Sequence, residues 1–257
     1  MSTIRLVTRA DDAGMHTAAN HAIAETIKNG IVQNVSLMAP TSAIRNAYQT
    51  LSEFAGKVDF GLHVALTCEW QNLRWQALTA KHGGDGFTRR DGTMHVSVDE
   101  FIEAKPDLDA VMAEVEAQLE LLTNLGFSIS YIDEHMLVGR TPGLAERLAD
   151  FATSHGLVYD RTLRENGTLA DFPSWAGPRE HPGTELADQL STMDDGTYLL
   201  VGHPVNKDEE LQRIHLRDEP AGKMLQDRNR QRRMFMDIEI VDYCENVGIE
   251  LCRYTRL

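Results

Sequence analysis

The stretch that decides the fold is residues 4–14, which read IRLVTRADDAG. Aliphatic and β-branched side chains predict a strand over residues 4–8, and the polar residues 9–14 predict a loop after it. Alanine and isoleucine side chains then recur at helical spacing as far as Gly30, where a helix would end. The chain therefore opens with a strand, a loop that carries two adjacent carboxylates, and a helix.

The same order of strand and helix returns about seven times along the chain. Further strands are predicted at residues 31–38, 58–66, 128–133, 157–159, 198–204 and 249–254. Helices are predicted at about residues 43–55, 108–126, 142–156 and 226–246, with an irregular stretch at residues 160–185. This alternation predicts an α/β fold with a mostly parallel sheet. At 257 residues, a single-domain (β/α) TIM-like barrel, complete or one unit short, is the leading architecture, and a doubly wound open sheet is the alternative.

Between residues 67 and 106 the periodicity breaks down. Glycines mix with charged and aromatic residues, which indicates a long inserted loop with a small hairpin at about residues 87–94. Trp70 and Trp75 lie in this loop, and an aromatic ring can stack on the apolar face of a sugar. Both are therefore candidate substrate-binding residues, although they could equally pack the loop against the core.

The composition is that of a soluble, acidic protein. Twenty-five lysines and arginines stand against 39 aspartates and glutamates, for a formal net charge of −14. A body with this charge repels nucleic acid and anionic membranes, so neither is an expected partner. The three cysteines are scattered without a CxxC motif, and no apolar stretch has the length of a signal-peptide core or a membrane span. We expect a cytoplasmic protein.

Polar side chains occur repeatedly where the predicted strands end. Asp11 and Asp12 follow the first strand; His63 lies late in the third strand; His135 and His203 follow or end two later ones. Because the carboxyl ends of parallel strands meet at one edge of the sheet, these side chains would converge. Aspartate and histidine are common ligands of a divalent metal, and a second carboxylate can act as a base. Each residue alone also has a structural explanation, such as helix capping for the aspartates.

Five blocks of this sequence resemble the YdjC-like family, which includes carbohydrate deacetylases. The blocks are residues 8–14 (TRADDAG), GIV and SLM within 30–38, 61–67 (GLHVALT), 131–135 (YIDEH) and 202–204 (GHP). The resemblance implies a distorted (β/α) barrel of the glycoside hydrolase/deacetylase type. It implies a divalent metal, Mg²⁺ or alternatively Zn²⁺, and hydrolysis of the acetamide of an N-acetylated, chitooligosaccharide-like sugar.

The resemblance also implies a role for each residue of the predicted site. Asp12, His63 and His135 would be the metal ligands, Asp11 the general base and His203 the acid. Asp133, together with the two tryptophans, is assigned to substrate binding. The remaining alternatives are another metal-dependent hydrolase, acting on a phosphoester or a different amide, and a sugar-binding protein with a degenerate site. The chain is also compatible with a homo-oligomer, although no motif supports one.

The sequence departs from the family pattern near the predicted site. Arg9 precedes the aspartate pair where the family often has Asn or Thr, Glu134 replaces a glycine, and Leu137 replaces a second histidine. We interpret Leu137 as a change that bears on substrate choice. Residues 228–233 carry four arginines, and we interpret this run as a solvated helix face.

Overall fold

The computed structural model describes residues 4–79, 86–173 and 180–257. The strands are β1 (Ile4–Ala13), β2 (Asn34–Leu37), β3 (Asp59–Val64), β4 (Ile129–Glu134), β5 (Val158–Tyr159), β6 (Ala170–Asp171), β7 (Gly196–Gly202) and β8 (Glu250–Cys252). The helices are α1 (Thr17–Asn29), α2 (Ile44–Leu51), α3 (Val98–Glu103), α4 (Leu108–Leu125), α5 (Leu144–Ser154), α6 (Asp160–Glu165), α7 (Pro182–Ser191), α8 (Lys223–Met236) and α9 (Ile238–Val247).

All of these strands pair in parallel in one sheet, in the order β5-β4-β3-β2-β1-β7-β6. Strand β8 pairs with β1 over Arg5–Val7, and β2 pairs with β1 over Arg9–Ala13. In the part of the chain that the structure describes, no ladder joins β5 to β6, so the sheet is open. The predicted parallel α/β fold is confirmed. The predicted barrel is confirmed only in part, because the described sheet does not close.

The open sheet is nevertheless strongly curled. Arg9 on β1 and Asp160, directly after β5, lie four strand steps apart in the sheet. Four steps of about 4.8 Å would separate flat strands by about 19 Å. Arg9 Nη1 is instead 2.9 Å from Asp160 Oδ2, a distance that these side chains can reach only if the sheet curves into a half barrel. The curl turns the carboxyl ends of distant strands towards one another.

Strand β1 is longer than the sequence predicts. The expectation of a loop over residues 9–14 is wrong, because β1 continues through Ala13. This half of the strand is buried, and its backbone pairs with β2 at Arg9, Ala10 and Ala13 and with β7 at Arg9 and Ala10, although several of its side chains are polar. The two predicted carboxylates are therefore on a strand and not on a flexible turn.

Two other predictions also change. Residues 160–185 include α6, β6 and the start of α7, so the irregular stretch is shorter than expected, and residues 174–179 lie outside the described part. The long helix predicted at residues 226–246 is two helices, α8 and α9. Asp237 separates them because its backbone is extended and its side chain accepts a hydrogen bond from Glu239 N, which caps α9.

The segment 67–106 has little regular structure apart from α3, and its residues 80–85 lie outside the described part. The predicted hairpin appears as an antiparallel bridge between Thr88 and Met94. Helix α4 anchors the first part of the segment: Gln118 bonds both backbone groups of Ala65, and Glu114 accepts hydrogen bonds from Leu78 N, Thr79 N and the Thr79 hydroxyl. The segment is thus held at both sides of residues 66–77.

The apolar core lies where the helices pack on the sheet. Ile23 of α1, Leu122 of α4 and Phe235 of α8 are all completely buried in it. Among the described residues, no helix is both long enough and apolar enough to span a bilayer. The core thus supports a rigid sheet, and the polar side chains collect at its carboxyl edge.

Candidate metal centre

A bulge in β1 brings two adjacent carboxylates into one cavity. Three steps along β1, from Ala10 to Ala13, oppose two steps along β2. Within this bulge Asp12 adopts a left-handed backbone conformation, with φ of 64°. Adjacent strand residues normally face opposite sides of a sheet, and a bulge cancels that alternation. Asp11 and Asp12 both line the same cavity as a result.

Three ligand atoms meet at the carboxyl edge of the sheet. Asp12 Oδ1 lies 3.4 Å from His63 Nε2 and 3.4 Å from His135 Nδ1, and the two nitrogens are 3.2 Å apart. Ligands arranged tetrahedrally at about 2.1 Å from one ion would be about 3.4 Å apart. All three side chains are buried. The structure therefore brings the three predicted metal ligands together at the spacing of one site.

A carboxylate orients each of the two histidines from the opposite side of the ring. His63 Nδ1 lies 2.9 Å from Asp133 Oδ2, and His135 Nε2 lies 3.0 Å from Glu69 Oε2. When a metal ion is bound, the ring nitrogen that faces a carboxylate would carry the proton, and the inward nitrogen would offer its lone pair to the ion. Asp133 is completely buried and is not among the residues that line the cavity, so its position fits the orientation of His63 better than contact with substrate.

The residues present fit a divalent metal ion. Asp12 Oδ1 is buried and accepts no hydrogen bond from the described residues. A buried carboxylate oxygen without a hydrogen-bond partner is costly. One cation among these three atoms would satisfy all of them. Carboxylate with two imidazoles is a donor set that such ions accept.

Arg9 connects the carboxylates around this cluster. Its Nε and Nη2 donate to the two carboxylate oxygens of Asp11 at 2.7 and 2.9 Å, and Nη2 also lies 2.9 Å from Asp133 Oδ2. Burial alone would raise the pKa of Asp11, but the Arg9 cation holds it below its usual range. Asp11 is therefore ionised at neutral pH. Arg9, a departure from the family pattern, fixes the position of that carboxylate.

Arg228 lies on the other side of the metal-ligand cluster. Its Nη2 is 2.7 Å from Asp12 Oδ2, and its guanidinium lies 4.8 Å from the ring centroid of Trp70. Burial opposes ionisation of Asp12, yet Arg228 and the two cluster histidines hold the pKa of Asp12 well below its usual range. The interpretation of residues 228–233 as a solvated face is wrong at this position, because Arg228 is buried and lines the cavity.

His203 directly follows β7 and lines the same cavity. Gln231 Oε1 accepts a hydrogen bond from His203 N at 2.6 Å and lies 3.3 Å from His203 Nδ1, which leaves Nε2 free for the cavity. Burial lowers the pKa of His203, and the Arg228 cation lowers it further against the opposing effect of the aspartates. His203 is therefore neutral at pH 7 in the free protein, which disfavours the resting imidazolium that an acid would need.

The cavity has a volume of about 480 Å³, within the range of small-molecule sites. Trp70 lines it, while Trp75 does not and instead lies edge-on to His135 with ring centroids 6.1 Å apart. Both indole rings are almost fully buried. Trp70 is thus placed to contact a ligand, and the position of Trp75 fits the alternative role of packing the segment against the core.

The sequence analysis missed Glu69 and Gln231. Glu69 follows β3 by five residues and belongs to no recognisable spacing, and Gln231 lies on a helix far along the chain. The only available signal for Glu69 was its position beside Trp70 in a segment already singled out. A contact between an irregular segment and a strand end depends on tertiary packing, which local patterns do not encode.

Comparisons with known proteins find relatives that align with most of this chain. A carbohydrate deacetylase of Thermoanaerobacter pseudethanolicus is 24% identical over 235 residues, which cover 87% of this chain and 91% of that protein. A carbohydrate deacetylase of Listeria monocytogenes is 28% identical over 233 residues, which cover 86% of this chain and 89% of that protein. Both alignments span nearly the whole length of each protein.

A solved structure shares the fold. The crystal structure of an Enterococcus faecalis protein, whose assigned name refers to cellobiose-phosphate cleavage, superposes with a TM-score of 0.79 over 99% of both chains at 20% identity. At that identity the likeness concerns the fold alone. The profile of the YdjC-like protein family matches residues 5–246. The chain belongs to the YdjC-like family, as its sequence blocks predict.

Proposed function

We propose that the protein is a metal-dependent deacetylase that hydrolyses the acetamide of an N-acetylated, chitooligosaccharide-like sugar. The observation that carries the proposal is the cluster of Asp12, His63 and His135, whose ligand atoms lie 3.2–3.4 Å apart inside a cavity that Asp11 and His203 also line. Relatives that span most of the chain are named carbohydrate deacetylases, which supports hydrolysis of an amide C–N bond.

The proposed cofactor is a divalent ion, Mg²⁺ or Zn²⁺. When bound, such an ion lowers the pKa of a water ligand and polarises the acetyl carbonyl. Two imidazoles and one carboxylate suit Zn²⁺ better than Mg²⁺, which prefers oxygen ligands. Asp133 and Glu69 keep the two histidines in the tautomer that faces the ion. Zn²⁺ is therefore the ion to test first.

Asp11 is proposed to accept the proton of the attacking water. It lines the cavity and is ionised, because Arg9 donates to both of its oxygens. Each carboxylate oxygen has a second lone pair that can accept a proton from water. The same ion pair weakens Asp11 as a base, so the water must itself be acidified for the transfer to be favourable. Arg9 thus fixes the position of Asp11 but makes Asp11 a weaker base.

His203 is proposed to deliver a proton to the leaving sugar nitrogen. Gln231 holds its Nδ1, so Nε2 is the atom that faces the cavity. Because burial and the Arg228 cation lower the pKa of His203, the ring is neutral at rest and would first take up the proton that Asp11 removes from water. His203 would then donate this proton to the leaving nitrogen, so it keeps the role of the acid.

The substrate-binding part of the proposal rests on the cavity wall. Trp70 lines the cavity beside the metal-ligand cluster, with the Arg228 guanidinium over its ring. We also propose that residues 1–257 form one domain in which residues 67–106 are a loop over the cavity rim. Glu69 and Trp70 both come from this loop and line the cavity, which supports that arrangement.

The test is acetate release from a panel of N-acetylated mono- and oligosaccharides, with added Zn²⁺ or Mg²⁺ and with EDTA. The proposal predicts release from at least one oligosaccharide, its loss in EDTA and its recovery on adding the ion back. No release across the panel from metal-loaded protein would favour a different hydrolase substrate. No release together with no bound metal would favour a degenerate sugar-binding protein.

A further inference from the structure

Tyr254 lies near the end of the chain, yet its hydroxyl contacts an arginine of the cavity. Arg9 Nη1 donates a hydrogen bond to Tyr254 Oη at 3.0 Å, and the tyrosine side chain is buried. Arg9 lines the cavity, whereas Tyr254 is not among the described residues that do so. The hydroxyl of Tyr254 is therefore placed to act on Arg9 and not on a ligand.

The guanidinium of Arg9 is held on two sides. On one side, Nε and Nη2 donate to the two carboxylate oxygens of Asp11 at 2.7 and 2.9 Å. On the other side, Nη1 donates to Tyr254 Oη and, at 2.9 Å, to Asp160 Oδ2. A guanidinium is planar and its N–H groups point in fixed directions, so the contacts of Nη1 also set the directions of Nε and Nη2. The orientation of the Asp11 carboxylate thus depends on atoms at the far side of Arg9.

The backbone around Tyr254 is fixed to the sheet just after β8. Tyr254 N donates to Asn34 Oδ1 at 3.0 Å, and Asn34 Nδ2 in turn donates to carbonyl oxygens of β1 and β8, both at 3.0 Å. Thr255 N donates to Asp59 Oδ2 at 2.8 Å. Asn34 is completely buried and Asp59 is nearly so. Two side chains of the sheet therefore hold this segment and fix the direction in which Tyr254 points.

The ring of Tyr254 packs against a second buried tyrosine, Tyr131. The two ring centroids are 4.4 Å apart, with the planes tilted by 36°. Gly61 makes room for Tyr131, because a Cβ at position 61 would lie 2.3 Å from that ring. The hydroxyl of Tyr131 forms a hydrogen bond of 2.9 Å with the hydroxyl of Ser36. The two tyrosines are thus alike in burial and packing, but only the Tyr254 hydroxyl accepts a hydrogen bond from Arg9 among the described residues.

We propose that Tyr254 is a positioning residue, which orients Arg9 and, through Arg9, the carboxylate of Asp11. The role of Asp11 as the base rests on the proposed function, whereas the contact between Tyr254 and Arg9 does not. A base takes a proton only when its oxygen is within hydrogen-bond reach of it and correctly aligned. A small rotation of the Asp11 carboxylate therefore slows turnover without weakening the binding of the metal ion or of the sugar.

The first experiment compares Tyr254→Phe with Tyr131→Phe, since each variant loses one hydroxyl and keeps its ring. We expect kcat for acetate release to fall about threefold to tenfold in Tyr254→Phe, with KM and Zn²⁺ content unchanged. The loss stays below the roughly hundredfold effect of a 1 Å displacement, because Asp160 still accepts from Nη1. Both variants lose one buried hydrogen bond and should melt slightly below wild type, but Tyr131→Phe should keep the wild-type kcat.

The second experiment does not depend on the reaction. It measures by NMR how fast the Arg9 Nε–H proton exchanges with water, with the signal assigned through the bonds of the Arg9 side chain. We expect exchange to be about fivefold faster in Tyr254→Phe than in wild type, because a guanidinium that has lost one hydrogen bond opens more often. Tyr131→Phe should leave the exchange rate unchanged.

A double variant tests whether Tyr254 acts through Arg9. Lysine has a single side-chain nitrogen without the planar fork, so Arg9→Lys keeps the charge but does not join Asp11 rigidly to Tyr254. Tyr254→Phe should therefore lower kcat by less than about twofold when it is added to Arg9→Lys, since two residues that act through one contact are not additive.

Four results would overturn the inference. They are a wild-type kcat in Tyr254→Phe, an equal fall of kcat in Tyr131→Phe, an unchanged exchange rate of the Arg9 proton, and full additivity of Tyr254→Phe with Arg9→Lys. Any of these in a protein that releases acetate contradicts the inference alone. If wild type releases no acetate from any N-acetylated sugar, the proposed function is contradicted, and the exchange rates decide whether Tyr254 holds Arg9.

Discussion

Two histidine–carboxylate pairs support the metal-ligand cluster, and they are built differently. His63 and Asp133 are partners across the parallel ladder of β3 and β4, so the sheet itself places them. Glu69 reaches His135 from an irregular segment, which α4 anchors through Glu114. The contacts are almost equal, at 2.9 and 3.0 Å. The His63–Asp133 pair is thus the rigid half of the site, and the His135–Glu69 pair is the half that depends on tertiary packing.

Loss of a ligand on the rigid half should have the largest effect. His63→Ala removes one of three donors, so we expect metal binding to disappear and acetate release to fall about 10³-fold or more, since a bound ion supplies several kcal/mol of transition-state stabilisation. Metal content and acetate release measure the two effects. Full metal content in this variant would show that the ligand set is wrong.

His203 belongs to neither pair, so a variant at this position tests proton transfer separately from metal binding. His203→Ala should keep its metal and lose turnover by about 10²–10⁴-fold, the usual contribution of a positioned acid. Gln189→Ala is a control for a polar side chain outside the cavity, because Gln189 does not line the cavity and its Nε2 donates to Pro173 O. Turnover of His203→Ala at the wild-type rate would refute the acid assignment, and loss of metal would make His203 a ligand.

The two orienting carboxylates test the comparison directly. Asp133→Asn and Glu69→Gln each exchange a charged acceptor for an amide, and we expect each to lower metal affinity or activity by about 10–100-fold. Asp133→Asn should have the larger effect, because Asp133 is completely buried and also lies 2.9 Å from Arg9. Metal titration and kcat measure both variants. A larger loss in Glu69→Gln would reverse the ranking of the two halves.

The anchor of the irregular segment should have a smaller effect on activity. Glu114→Ala leaves two part-buried backbone N–H groups and a hydroxyl without their acceptor, which costs about 1–3 kcal/mol of stability. We expect activity to fall several-fold through Glu69. Glu116→Ala on the same helix is the control, because Glu116 contacts the exposed His155. Equal effects of the two variants on denaturant unfolding and activity would contradict the anchoring role.

The smallest effect is a pH dependence of stability at Glu134. Burial raises the pKa of Glu134, but Arg161, Tyr159 and Gly139 N hold it below its usual range. The stabilisation is therefore present above about pH 4.5 and disappears as the pH falls through the lowered folded pKa. Wild type should melt above Glu134→Gln at pH 7, with the difference shrinking towards pH 3.

The control for this prediction is Asp171→Asn, whose 3.5 Å pair with Arg164 is exposed on the aspartate side. Such a pair contributes about 0–1 kcal/mol, so its effect on melting should be slight at every pH. A Glu134→Gln difference that grows as the pH falls would contradict the sign of the shift.

The sequence predicted that the three metal-ligand side chains would lie together. Strand ends follow from apolar patterns, and parallel strands gather their carboxyl ends, so Asp12, His63 and His135 could be placed together before any coordinates. Family resemblance supplied their roles as expectations. The α/β fold followed from the same alternation, whereas the opening of the sheet between β5 and β6 did not, because two-residue strands have too little pattern to set closure.

Three other features of the site could not be predicted from the sequence. The bulge at Asp12 depends on the register with β2, not on local composition. Glu69 meets His135 only after α4 has fixed the segment. A run of arginines predicts a surface position for Arg228, but the fold places its Nη2 2.7 Å from Asp12 Oδ2. Long-range contacts decide each of these features.

The most direct measurement is a titration of metal-free protein with Zn²⁺ while acetate release from an N-acetylated oligosaccharide is followed. Acetate release should rise in proportion to the added ion and level off at one ion per chain. The His63→Ala variant should show neither tight binding of the ion nor acetate release. Metal-dependent deacetylation would be contradicted by undiminished release from metal-free protein, or by protein that holds one ion per chain and releases acetate from none of the N-acetylated sugars tested.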